Sequence, residues 1–175
     1  SFFHSSIGGY HAAKPRRMQQ LFDYQIAKNN LEILNMLNVK YVIQTDKEGK
    51  EIPTINPDAN GNAWFVSNVK VVQNADEEIS ALDSLDTKND VVVDKEFMKS
   101  VSSKSFVKDS LATITLEEYK PNYLKYTSQN SNKGLAVFSE IYYPKGWKVT
   151  IDGKETTPIR ANFVLRALEI PAGKH

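Results

Sequence analysis

Two periodicities divide the chain near residue 111. Before it, apolar positions recur in short runs at helical spacing; after it, they alternate. Proline suits the first turn of a helix, where its missing N–H would lack an intrahelical partner anyway. Behind Pro15, Met18, Leu21, Phe22 and Ile26 recur at near-helical spacing, with Arg16, Arg17, Gln20 and Lys28 off that stripe. Asn30 can cap a second short helix carrying Leu31, Leu34 and Leu37. Residues 39–43 are β-branched and aromatic and read as a strand. Residues 45–62 hold Pro53 and Pro57 and read as a loop, with a small hairpin around Glu48-Gly49. Residues 64–73 form the next strand. Asn74 and Glu77 have the spacing of a capping box ahead of Ile79, Leu82 and Leu85, which predicts a helix of about three turns. A brief strand spans 91–93, and 95–108 has no clear period.

From residue 111 the period is two: Ala112, Ile114 and Leu116 alternate with Thr113, Thr115 and Glu117. Pro121-Asn122 turns the chain into a strand over 123–128, and a polar connection runs over 129–133. Strands follow at 135–143, 147–152, near Thr157 and at 163–170. Asp152-Gly153 offers the two positive-φ positions of a type I′ turn, so this hairpin has a set register. Five or so strands joined by short turns predict an antiparallel β-sandwich. The fold class is therefore α+β, with an antiparallel β-sandwich in the C-terminal half packed with short helices from the N-terminal half. Two short helices and a strand bury little by themselves, which favours one domain over 1–175, with a helix-rich part at 1–110 and a sandwich part at 111–175.

The 175 residues are 41% hydrophobic and 25% charged, with a formal net charge of +1. That balance offers no whole-domain argument for nucleic acid as a partner. The absence of cysteine excludes disulfides, thiolate metal sites and cysteine catalysis. No apolar run approaches the roughly 20 residues of a membrane helix, so this stretch reads as water-soluble. Its end at His175, with no cap or polar tail, reads as the edge of a longer polypeptide.

Three groups of residues carry candidate chemistry. Tyr10, His11, Lys14 and Arg16 gather behind Gly8-Gly9 at a helix start, where backbone N–H groups can hold an anion. The alternative is a solvated helix entrance. Tyr143 and Trp147, with Tyr142 and Phe163, lie near a strand corner, where aromatics either stack on a sugar ring or seal the end of the sandwich. Arg160 and Arg166 flank Asn162-Phe163. Arg166 interrupts an apolar alternation, so it needs a partner, and Glu140 on a neighbouring strand is the expected one. Asp76, Glu77 and Glu78 belong to the first turn of a helix, where negative charge is favoured structurally. His4, His11 and His175 lack the carboxylate company of a metal site, so no metal and no cofactor is expected. No acid/base or nucleophile motif is present, so no catalytic residue is assigned.

Several segments resemble the C-terminal extracytoplasmic region of the YfhO family of bacterial multi-spanning membrane proteins. They are residues 1–14, Leu21-Phe-Asp-Tyr24, residues 34–43 and Gly61-Asn-Ala-Trp-Phe65. The strongest is Val137-Phe-Ser-Glu-Ile-Tyr-Tyr-Pro-Lys-Gly-Trp147, followed by Ile151-Asp-Gly-Lys154, Arg160-Ala-Asn-Phe163 and Pro171-Ala-Gly-Lys-His175. The resemblance implies an outward-facing domain on the extracytoplasmic face of the bacterial cytoplasmic membrane. It also implies a membrane-spanning parent similar to lipid-carrier-dependent glycosyltransferases of cell-envelope glycan synthesis. The implied partners are the membrane-spanning part of that parent and an envelope glycan or lipid-linked sugar. The expected role is accessory rather than catalytic, because nothing here resembles the family's catalytic loops; the alternative is a carbohydrate-binding β-sandwich module.

Overall fold

Pro15, expected at the first helical position, stands one residue earlier, just ahead of helix α1 (Arg16–Tyr24), and Met18 and Leu21 carry the helix's buried face. In this computed structural model the described residues are 6–7 and 15–175. Asn30 caps α2 (Leu31–Met36) as expected, its side chain accepting the Glu32 N–H at 3.2 Å. The buried face of α2 is Ile33, Asn35 and Met36, however, and Leu31 is exposed. In a helix of six residues, the neighbours rather than a repeating stripe choose the face. The strand expected over 39–43 is β1 (Tyr41–Thr45), and the hairpin within the expected loop brings in β2 (Glu51–Ile55) as its antiparallel partner.

The single strand expected over 64–73 is two strands. The first, β3 (Ala63–Val66), and the second, β4 (Asn68–Val72), join different sheets, and the Ser67 N–H between them is taken by the Asn89 carbonyl at 2.7 Å. The capping box then forms: Asn74 Oδ1 accepts the Glu77 N–H at 2.9 Å, and the Glu77 carboxylate accepts the N–H of Gln73 at 2.9 Å. Helix α3 (Ala75–Ser80), continued by a 3₁₀ turn at Ala81–Ser84, leads to β5 (Asp90–Asp94), which pairs with β4 in parallel. This pair departs from the all-antiparallel expectation. A parallel neighbour needs a crossover connection, and α3 supplies it.

In the second half β6 (Thr113–Lys120) pairs with β7 (Tyr123–Asn130). Then come β8 (Gly134–Ile141), β9 (Val149–Ile151), β10 (Lys154–Thr156), β11 (Ile159–Ala161), β12 (Leu165–Ile170) and β13 (Gly173–Lys174). The β9–β10 hairpin turns at Asp152 (φ 50°) and Gly153 (φ 78°), the two left-handed positions read from the sequence. One sheet has the order β11-β12-β8-β3 and another the order β13-β7-β6. Leu135 and Val137 of β8 join the larger core, with Met18, Leu21, Ile33 and Val91 to Val93. Ala136 and Phe138, between and beyond them, join a smaller core with Leu168, Ile170 and Ile114. The four-stranded sheet is therefore covered on both faces, which is why β12 is almost continuously buried. An antiparallel sandwich with short helices against it, the expected α+β class, is the architecture observed.

The strand expected over 163–170 starts only at Leu165. Asn162 (φ 46°) and Phe163 (φ 71°) make a left-handed corner ahead of it, unusual for a buried aromatic residue. Asn162 faces β5 there. Its N–H donates to the Val92 carbonyl at 2.9 Å and its Oδ1 accepts the Val92 N–H at 2.8 Å, so one side chain completes a strand-like pairing.

Candidate functional site

Two charged centres flank the four-stranded sheet. The first is built on Glu78 of α3, whose carboxylate is fully buried. Arg17 Nη1 from α1 donates to its Oε2 at 2.8 Å, Arg160 Nη2 from β11 at 3.4 Å, and the Phe163 N–H to its Oε1 at 3.2 Å. Arg160 also reaches Glu96 at 3.1 Å and Asp94 at 3.9 Å. The Arg17 guanidinium lies 4.4 Å from the Phe163 ring centroid and that of Arg160 4.9 Å from Phe97. Arg160, read from the sequence as structural first and ligand-binding second, holds α3 to the β11–β12 corner. Glu78 carries this centre, not the dipole role read for it. Its signal was its position: three residues after Ala75 and four before Leu82, it sits on the apolar stripe of the helix.

The second centre lies in a groove of about 380 Å³ between β7, the β8–β12 pair and the β9–β10 hairpin. Arg166, only 8% exposed, donates from Nη2 to Glu140 Oε2 at 3.3 Å, the pairing expected from the sequence. Its guanidinium stacks 4.7 Å from the Trp147 ring centroid. Tyr126 and Phe138 form one wall, edge to face at 5.0 Å. Ile114, Leu168 and Ile170 add apolar lining. Burial pushes the Glu140 carboxyl above its ordinary value against the opposing charge of Arg166. Burial also lowers the Arg166 guanidinium, with Glu140 opposing, but arginine starts so high that it stays charged. Desolvation, aided by the Glu140 charge, pushes the Tyr126 phenol up to about 12, so it remains a neutral donor. Neither the Tyr126 hydroxyl nor Arg166 Nε finds a hydrogen-bond partner among the described residues.

His175 also lines the groove. Its Nδ1 meets Asp152 Oδ2 at 2.7 Å, and its backbone pairs with Ser128 in both directions, at 2.9 and 3.0 Å. The Asp152 hydrogen bond raises the imidazole pKa. A raised folded value means stabilisation that is fully present below the unfolded pKa and lost as pH rises through the folded one. Melting temperatures at about pH 5.5 and about pH 8.5 should therefore differ more for the native chain than for Asp152→Asn, which tolerates the left-handed turn but lacks the charge. Equal differences would show that the contact contributes nothing.

Of the remaining candidates, Tyr10, His11 and Lys14 lie outside the described residues, and Arg16 is exposed on α1. Tyr143 is 60% exposed, and its ring lies over Gly146, where a Cβ would fall 2.2 Å from it. Tyr142 packs edge-on against Phe97. The fold thus brings Trp147 and Arg166 together, while Arg160 belongs to the other centre. Among the described residues no group of three or more His, Asp or Glu could hold a metal ion, and no helix is long and apolar enough to cross a membrane.

Residues 99–175 match the family model described as bacterial membrane protein YfhO. That stretch includes the groove residues Tyr126, Glu140 and Arg166, but not Arg17 or Glu78. No curated protein and no solved structure matches the chain.

Proposed function

We propose, from the match of residues 99–175 to the family model described as bacterial membrane protein YfhO, that the chain forms an extracytoplasmic lobe of a membrane-spanning parent. In this reading the parent resembles lipid-carrier-dependent glycosyltransferases of envelope-glycan synthesis, and the lobe is accessory to that activity rather than its catalytic part. The observation that carries the reading is the β1–β2 hairpin. Its register sets Tyr41 opposite Ile55 and Ile43 opposite Pro53, so all four side chains share one face. Tyr41, Ile43 and Ile55 are 62%, 66% and 67% exposed. A two-stranded hairpin is marginal in water by itself, and a contiguous apolar strip marks a contact surface. Here it packs on the membrane-spanning part of the parent. The accessory role is further supported by both charged centres, where the buried Glu78 and the partly buried Glu140 are paired with arginines rather than set up as acid and base.

These 175 residues contain no cysteine, so single cysteines report on these surfaces once any cysteine in the rest of the parent is replaced. In the parent protein in cell membranes, Ile43→Cys should be shielded from a membrane-impermeant maleimide. Lys154→Cys, on the exposed β10 end of the β9–β10 turn, should label from outside intact cells. Equal labelling of both sites would defeat the docking role of the hairpin. Labelling of Lys154→Cys only after lysis would place the lobe on the other face.

A carbohydrate-binding module is the second reading, and the groove at Arg166 favours it. Of the corner aromatics first considered for it, Trp147 stacks on Arg166 and Tyr142 packs on Phe97, while Tyr143 is exposed.

A further inference from the structure

We infer that the β1–β2 hairpin joins two copies of this chain, with β1 lying antiparallel to β1 of the second copy about a two-fold axis at Ile43, so that both hairpins form one continuous sheet. The hairpin is a sheet of its own, paired with no other strand among the described residues. Its ladder is bracketed by the Asn56 N–H on the Lys40 carbonyl at 2.9 Å and the Asp46 N–H on the Lys50 carbonyl at 3.0 Å. Successive residues of an antiparallel pair alternate between bonding the partner strand and facing away from it. In this register Val42 and Gln44 turn inward, while Tyr41, Ile43 and Thr45 present their N–H and C=O groups on the outer edge of β1. No hydrogen bond takes up those outer groups among the described residues. The outer edge of β2 is closed: Pro53 sits at its middle with no N–H to give, and Glu51 adds a charge. Both devices keep an edge strand from pairing, and β1, Tyr-Val-Ile-Gln-Thr, has neither.

The residues flanking the open edge select the occupant. A two-fold at Ile43 sets Ile43 opposite Ile43 and Tyr41 opposite Thr45 of the second copy, so every outward residue exchanges both its backbone bonds. The same register sets Lys40 opposite Asp46 of the second copy, and Asp46 opposite its Lys40. Asp46 Oδ1 accepts the N–H groups of Glu48 and Lys50 at 2.9 and 2.8 Å, and neither Lys40 nor Asp46 forms an ion pair with a described residue. Opposite charges facing each other across strands attract, and β1 itself carries no charge that would meet its like. An unrelated extended segment would gain the backbone bonds without these reciprocal charge pairs. The axis stands perpendicular to the sheet, so Tyr41, Ile43, Pro53 and Ile55 of both copies share one face and the pairing doubles the apolar strip. The inference goes beyond the docking of that strip on the parent and does not depend on it.

The test is oxidative cross-linking of the parent protein in cell membranes, with any other cysteine replaced, read as dimer on a non-reducing gel. Ile43→Cys places the paired Cα atoms about 5.5 Å apart across the axis, within disulfide reach. Ile55→Cys, on β2, lies roughly 14 Å from its counterpart, three strand spacings away. The two positions are equally open in one copy, 66% and 67% exposed, so chance collision would link both alike. The expected result is a dimer from Ile43→Cys and about tenfold less from Ile55→Cys. Thr45→Pro removes an outward N–H and leaves the β1–β2 ladder intact; added to Ile43→Cys, it should cut the dimer about five- to tenfold. Lys40→Glu, at an exposed position, sets like charges opposite each other and should cut it about threefold or more. Equal dimer from both cysteines, or a dimer indifferent to Thr45→Pro and Lys40→Glu, would overturn the pairing. Ile43→Cys that stays monomeric yet shielded from maleimide would give the edge to another part of the parent, ending the inference and leaving the docking reading standing. Monomeric and freely labelled, it would end both.

Discussion

Glu78→Ala should lower the unfolding free energy by about 3–5 kcal/mol, the range for removing one partner of a buried ion pair. The carboxylate is fully buried and is shared by Arg17, Arg160 and the Phe163 N–H. Its loss leaves two guanidinium groups and one backbone donor without their common acceptor. Arg160 keeps Glu96 and Asp94, and Arg17, about a third exposed, keeps the Phe163 carbonyl at 3.2 Å, so the loss should fall at the lower end of that range. Urea unfolding should show the midpoint falling with the slope unchanged. Glu77→Ala, one residue earlier, removes an exposed cap interaction and should cost about 1 kcal/mol. If the two variants lost equal stability, Glu78 would be an ordinary first-turn carboxylate and the bridge between α3 and the β11–β12 corner would have no energetic weight.

Asn162→Ala is expected to cost about 2–4 kcal/mol. About 1–3 of that is the buried Val92 N–H left without the Oδ1 acceptor. Another 1 or so arises because alanine tolerates the φ of 46° less well than asparagine. Asn162→Asp separates the two contributions, since it keeps an acceptor and the left-handed preference but places a charge in a fully buried position. Asn162→Gly relieves the backbone and removes only the acceptor, so it should be the milder of the Ala and Gly pair. Thermal or urea unfolding of all three ranks them. Gly and Ala losing the same amount would show that the left-handed corner carries no strain.

Short-range signals in the sequence were reliable because each depends on atoms a few residues apart. Asn74 and Glu77 close their box within one turn, and Asp152-Gly153 makes the tight turn because few other pairs tolerate two positive φ angles. Arg166 with Glu140 was also legible. An arginine within an apolar strand must find a carboxylate or backbone carbonyls, and a neighbouring strand offered a carboxylate. Other features had no local signature. Val69 and Val71 look the same in a parallel and an antiparallel ladder, so nothing in residues 68–72 announced β5 as their partner. Leu31 looked like a core position until Ile33 and Met36 took the inner face of α2.

Hydrophobic period, turn chemistry and the lack of cysteine determined an α+β sandwich, its hairpins and the chemistries closed to it, because those follow from covalent geometry and near neighbours. Which strands meet and which carboxylate is buried were decided by tertiary packing. The arginines on Glu78 come from 61 residues before it and 82 after it. Desolvation then makes that distant pairing obligatory, since a buried charge without a partner would cost more than the local helix gains.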